Sequence, residues 1–320
     1  MKEISFIRQN IEKWRALEPV IDTASSQDPG RLADAYLEIT TDLSFSRSNY
    51  PRSRITIYLN NLASALHNSL YKNKKESRSR IWNYWKTEVP LVMYASRREL
   101  LISFLIFIIS AGIGSLSTVN DDMFARLIMG NGYIDMTLDN IESGNPMGVY
   151  GEMSQVSMFF MIVWNNVRVS FLTFVSGMLT GLGTGLMLFQ NGVMLGSFQT
   201  FFFQQHLGLE SMMAVWLHGT LEISALIIAG AAGLALGNGF LFPGTYPRGF
   251  AFRQGAKRGL KIVVGTVPIF FIAGFVESFL TRYTSASYVL RGGFILLSLA
   301  FVLYYYIFLP RKLSHAIPES

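Results

Sequence analysis

The chain has 320 residues, half of them hydrophobic and only 15% charged, and its mean hydropathy is +0.32, a balance that excludes an ordinary soluble enzyme. The formal charge of +6 arises wholly in residues 1–98, which hold 16 Lys and Arg against 10 Asp and Glu, whereas residues 99–320 hold 11 of each. No nucleic-acid recognition motif accompanies the basic excess, so no nucleic-acid partner is expected, and the lack of cysteine excludes disulfides and thiolate metal or redox chemistry.

Residues 1–98 read as a small cytoplasmic helical domain. Ile4, Phe6, Ile7, Ile11, Trp14 and Leu17 recur at helical spacing, and Leu32, Tyr36, Ile39 and Leu43 repeat the pattern. Asp28-Pro29-Gly30 and Tyr50-Pro51 punctuate the helices. The first 30 residues, with Glu3, Glu12 and Glu18, lack the apolar core of a signal peptide. The domain runs into basic sequence at Lys72, Lys74, Lys75, Arg78 and Arg80. Residues 81–95 then mix Trp82, Tyr84, Trp85 and Tyr94 with Lys86, which predicts an interfacial helix at the headgroup layer, an amphipathic core helix being the alternative.

The transmembrane domain is taken as 99–320, with about six spans at 100–116, 167–189, 193–206, 212–236, 262–280 and 288–309. Gln190-Asn191-Gly192 is read as the turn between the second and third. The third is short enough for either a full crossing or a re-entrant segment, and Val156–Trp164 either lies on the outer surface or lengthens the second helix. Charge sets the orientation. The segment 239–261 carries Arg248, Arg253, Lys257, Arg258 and Lys261 with no acid, and Arg311 and Lys312 follow the last span. Residues 119–155 carry Asp121, Asp122, Asp135, Asp139, Glu142 and Glu152 against one Arg. Both termini cytoplasmic, with the acidic loop outside, satisfies all of these if the third span crosses fully. The expected fold is an all-α polytopic membrane helix bundle with an N-terminal cytoplasmic helical domain.

Ionisable residues inside spans each demand a partner or a role. His218 and Glu222 lie one turn apart on the fourth span, Glu277 lies in the fifth, and Arg168 opens the second after Asn165 and Asn166. Arg282 and Arg291 flank the start of the last. The topology gathers His218, Glu222, Glu277, Arg168, Asn166 and Arg291 at comparable depth in the outer half, as either a polar cavity or a network of Arg–carboxylate pairs. The HxxxE pattern is a weak metal signal, and the HExxH arrangement is absent, so neither a metal nor another cofactor is expected. The stripe of Arg253, Lys257 and Lys261, with Arg248 and Arg258 near it, either holds anionic lipid headgroups or only signals topology. Gly177, Gly181 and Gly185, with Gly233 and Gly237, are read as small-residue faces for helix packing within one chain.

These residues also resemble the stage II sporulation protein M family. The resemblance rests on HGTLEISALIIAGAAGLALG, Pro243-Gly244 and AGFVES, where His218, Glu222, Gly230, Gly233, Pro243, Gly244, Gly274 and Glu277 match the family pattern. Asn166, Gly177, Asn191, Gly192 and Gly196 look like its earlier span pair. Upstream, Trp14, Tyr36, Asp42-Leu43, Arg47, Pro51, Tyr58-Leu59-Asn60, His67, Tyr71 and Pro90 resemble the N-terminal extension of the longer members, which the shorter namesake lacks. The resemblance implies a non-enzymatic component of the bacterial cytoplasmic membrane. Its namesake works in a complex with peptidoglycan-cleaving partners, and the longer members accompany MoxR-type ATPases and von Willebrand A domain proteins. Two readings follow: a scaffold for an envelope-remodelling complex, or a transporter or lipid-handling protein using the polar cavity. An intramembrane metalloenzyme would need metal at His218 and Glu222. Besides these partners, membrane lipids and an oligomer are compatible with the sequence.

Overall fold

The computed structural model describes residues 2–22, 29–71, 78–121, 123–144, 154–281 and 287–316. The chain divides into two compact units, Met1–Arg80 and Ile81–Ser320. Lys72, Lys74 and Lys75, Asp28, Asp122, Glu152 and Arg282 lie outside the described residues.

The first unit is built from α1 (Glu3–Asp22), α2 (Pro29–Asn49) and α3 (Arg54–Tyr71). Proline biases the residue before it away from helical backbone, and α2 stops at Asn49, just ahead of Tyr50-Pro51. Phe6, Trp14, Leu32, Ile39, Leu43, Leu59, Leu62 and Leu66 close one core. Of the predicted apolar positions, Ile4 faces out. Trp14 is wholly buried, and its indole N–H donates to Asp42 Oδ2 at 2.8 Å, because a buried donor needs an acceptor. Lys13 Nζ sits 2.6 Å from the same carboxylate.

The second unit takes in α4 (Arg78–Asn83), which crosses the division, a π-helical turn at Tyr84–Glu88 and α5 (Val89–Ala95). The compact boundary thus falls at Arg80 rather than near residue 98. Within residues 81–95, Ile81 and Trp82 are exposed, while Val89 and Met93 are buried in the bundle core. Tyr84 Oη donates to the Lys261 carbonyl at 2.7 Å, and Tyr305 Oη donates to the Trp85 carbonyl. This stretch is therefore largely a packed element of the bundle.

The bundle continues with α6 (Arg97–Asn120), α7 (Phe124–Met129), α8 (Asn131–Glu142), α9 (Gln155–Val175) and α10 (Leu182–Gln204). Then come α11 (Gly208–Leu241), α12 (Arg248–Phe275) with a π-helical turn at Val276–Leu280, α13 (Tyr288–Leu303) with a π-helical turn at Tyr304–Phe308, and α14 (Leu309–Ala316). Ser154 and Ser287 cap α9 and α13, their hydroxyls accepting from Ser157 N and Val289 N.

Val156–Trp164 forms the first half of α9, the alternative in which it lengthens the second span. One boundary differs from the sequence expectation: the break that follows lies at Leu179–Gly181, not at Gln190–Gly192. The sharp reversal uses left-handed backbone at Thr180 (φ 55°) and Gly181 (φ 80°), a conformation glycine adopts without penalty. Asn191 sits inside α10, where its side chain donates to the Met187 carbonyl at 2.8 Å. The polar cluster stays helical because a helical side chain can satisfy itself on the carbonyl one turn back. Among the described residues, five helical stretches are long and apolar enough to cross a membrane: 97–120, 155–178, 208–241, 248–280 and 288–315. Helix α10 is not among them, although its 23 residues form one continuous helix, about 34 Å long at 1.5 Å per residue.

Helix α11 is the axis of the bundle. Ala225, Ala229, Ala231, Ala232 and Ala235 are buried along it, and α6, α9, α10, α12 and α13 all pack on it. A Cβ at Gly177 or Gly233 would run into the facing backbone, and one at Gly237 would strike Gly181. On α10, Gly192 and Gly196 meet the backbone of α6 in the same way, and Gly185 faces open space. These close approaches lie within the chain. Around the axis, Leu101, Leu105, Ile109 and Leu116 on α6 and Leu290, Leu296 and Leu297 on α13 face outward. Such a belt would aggregate in water and is solvated in hydrocarbon.

Candidate functional site

Helices α9 to α12 bring their polar residues to one place. His218 and Glu222 lie on the same face of α11, one turn apart, as their spacing predicts. Glu277 comes from the π-helical turn after α12. Such turns insert one extra residue and rotate the following side chains, and they concentrate at functional sites. His218 Nε2 lies 3.8 Å from Glu277 Oε1, with side-chain exposures of 6% and 15%. The donor atoms of His218, Glu222 and Glu277 all fall within 4.8 Å of one another. Asn166 Nδ2 on α9 donates to Glu222 Oε1 at 2.5 Å.

His218, Glu222 and Asn166 border a cleft of about 450 Å³. His218, Glu222, Asn165, Asn166, Ser170 and Asn191 supply its polar lining, and Phe107, Leu195, Leu226 and Phe270 much of its apolar wall. Met129 of α7 and Tyr133 of α8 also line it, and these two short helices are tied by the Arg126–Asp135 ion pair at 2.6 Å. Ser170 is buried, and its Oγ has no hydrogen-bond partner among the described residues.

Two other predicted residues differ in exposure. Arg168 is exposed on α9. Two residues beyond Asn166 mean a rotation of about 200°, so Arg168 points to the opposite side of the helix. Arg291 is buried on α13, and among the described residues His218 pairs with Glu277. Thr281 and Ser170 join the site without having been singled out. Thr281 stands four residues after Glu277, which is the signal that could have found it.

At the opposite end of the bundle, the predicted basic stripe divides. Arg248, Arg253 and Lys257 are exposed. Arg258 instead pairs with the buried Glu99 at 3.2 Å, and Asn238 Nδ2 donates to the same oxygen at 3.3 Å. Lys261 pairs with Glu88 at 2.5 Å.

An all-α bundle with an apolar outer belt and polar groups gathered at its axis defines a multi-pass membrane protein. Residues 103–282 match the family described as Stage II sporulation protein M, more than half of the chain, and the chain belongs to that family. Residues 4–72, which span α1 to α3, match a separate family described as a domain of unknown function (DUF8413). No curated protein and no solved structure matches the chain.

Proposed function

We propose that this protein is a non-catalytic component of an envelope-remodelling complex in the bacterial cytoplasmic membrane, with its N-terminal unit as the docking module. The observation that carries this reading is the groove between α2 and α3. A unit with its own closed core also presents a cleft of about 620 Å³, lined by Tyr36, Thr40, Arg47, Asn60, His67 and Asn68 among others. Arg47 Nη2 donates to Asn60 Oδ1 at 2.6 Å across it. Residues resembling the longer family members thus divide between that core (Trp14, Leu43, Leu59) and this groove (Tyr36, Arg47, Asn60, His67). The partner the resemblance suggests is a MoxR-type ATPase or a von Willebrand A domain protein. The test is native purification of the full chain with mass spectrometry of retained proteins. A retained partner that the Arg47→Ala/His67→Ala double variant loses, with the membrane unit intact, supports the reading. A wild-type chain that retains no protein sinks it.

A second reading, transport or lipid handling, is favoured by the cleft beside Glu222. It expects bound lipid in the same preparation, reduced in Glu222→Gln, and fails if wild type and variant carry the same lipid.

A further inference from the structure

We propose that His218, Glu222 and Glu277 form a binding site for one divalent transition-metal ion at the polar end of the membrane cleft. The proposal goes beyond both functional readings and depends on neither.

Thr281 Oγ1 lies 3.4 Å from His218 Nδ1 and 3.2 Å from the Val276 carbonyl. With its proton on that carbonyl the hydroxyl accepts from Nδ1, and in this tautomer Nε2 turns its lone pair toward the Glu277 carboxylate, 3.8 Å away. A cation seated between Nε2 and that carboxylate would be held by both. Ligands sharing one ion at about 2.1 Å sit roughly 3–4 Å apart, and the observed gap fits that spacing while exceeding a direct hydrogen bond.

The surroundings complete the pattern. A metal-ligating imidazole characteristically donates its other N–H to an oxygen, and Thr281 Oγ1 stands beside Nδ1 to accept it. The carboxylate of Glu222 is held by Asn166, as ligating carboxylates usually are. The three donor atoms lie within 4.8 Å of one another, so closing on an ion needs a shift of about 1 Å or less. Ser170 Oγ, buried and without a partner among the described residues, lines the adjoining cleft, where a metal-bound water could satisfy it. One imidazole with two carboxylates suits zinc or manganese better than the all-oxygen shells of calcium or magnesium. With three protein ligands, the cleft side remains open for water or a ligand oxygen.

The test uses the full chain, purified in detergent through an affinity tag free of histidine. Chelator-stripped protein is titrated with Zn²⁺ and with Mn²⁺ while bound metal and the thermal midpoint are followed. The expected result is about one equivalent of one of these ions per chain with a raised midpoint. Thr281→Val and Asn166→Ala leave all three donors in place and should weaken binding by roughly 10–100-fold. Glu277→Gln should abolish binding, and His206→Ala, outside the cluster, should leave it unchanged. If Glu277→Gln does not fold, the Thr281→Val and Asn166→Ala titrations decide. Stripped wild-type protein that takes up neither ion overturns the proposal, as does uptake that Thr281→Val, Asn166→Ala and a folded Glu277→Gln all leave unaltered.

Discussion

Glu99 carries a buried negative charge at the start of α6, neutralised by Arg258 and solvated by Asn238. Removing one partner of a buried charge pair costs more than the pair contributes, because the remaining ion keeps its desolvation penalty. Arg258→Ala should therefore lower stability by roughly 1–3 kcal/mol, read as a fall in thermal midpoint in detergent. Adding Glu99→Gln should restore part of that loss, and a further fall in the double variant would refute the argument. In the N-terminal unit, Tyr58 Oη donates to Glu18 Oε1 at 2.8 Å. Burial first, then the bond to that carboxylate, pushes the phenol up to about 12. An unfolded tyrosine titrates near 10, so the folded state holds this proton more tightly. That contribution is fully present below about pH 10 and is lost as pH rises through about 12. Alkaline unfolding of the N-terminal core, followed by Trp14 fluorescence, should be less steep over this interval in Tyr58→Phe.

At the scale of elements, packing in the bundle depends on backbone contact where glycine removes the side chain. Gly177 on the turn ending α9 meets Gly233 of α11 backbone to backbone, whereas Gly185 faces open space. Gly177→Ala should force these segments apart at a cost of about 1–3 kcal/mol. Gly185→Ala should be neutral or stabilising by up to about 1 kcal/mol, since alanine is the better helix former. Equal thermal midpoints for the two variants would show that the close approach does not govern stability. The small-residue spacing was legible in the sequence, and its allocation to particular neighbours was not. Gly177, Gly181 and Gly185 look like one face, yet a left-handed turn at Gly181 places them on different segments.

The whole bundle is polarised. Arg97, Arg98, Arg253, Lys257 and Lys312 cluster at one end, and Asp121, Asp135, Asp139 and Glu142 at the other. The proposed orientation, with the basic end cytoplasmic, follows from the excess of Lys and Arg in cytoplasmic loops. Because the chain has no cysteine, single substitutions can report it. In intact spheroplasts, Asp139→Cys should react with an impermeant maleimide and Arg253→Cys only after lysis. The reverse pattern would invert the orientation, and equal labelling would break the alternation of helices.

The sequence by itself determined the class: an apolar, charge-poor chain that must bury its backbone polar groups in helices, split from a basic N-terminal helical unit. It also placed His218 and Glu222 on one face, because helical periodicity is a local property. Only the tertiary structure decided which distant groups meet them. Glu277 and Asn166 arrive from other helices, Thr281 arrives through a π-helical turn, and Arg168 turns away. Those outcomes depend on helix rotation, which interhelix packing sets and spacing along one chain segment does not. The location in the membrane was legible from composition, while the constellation on its axis was a product of packing.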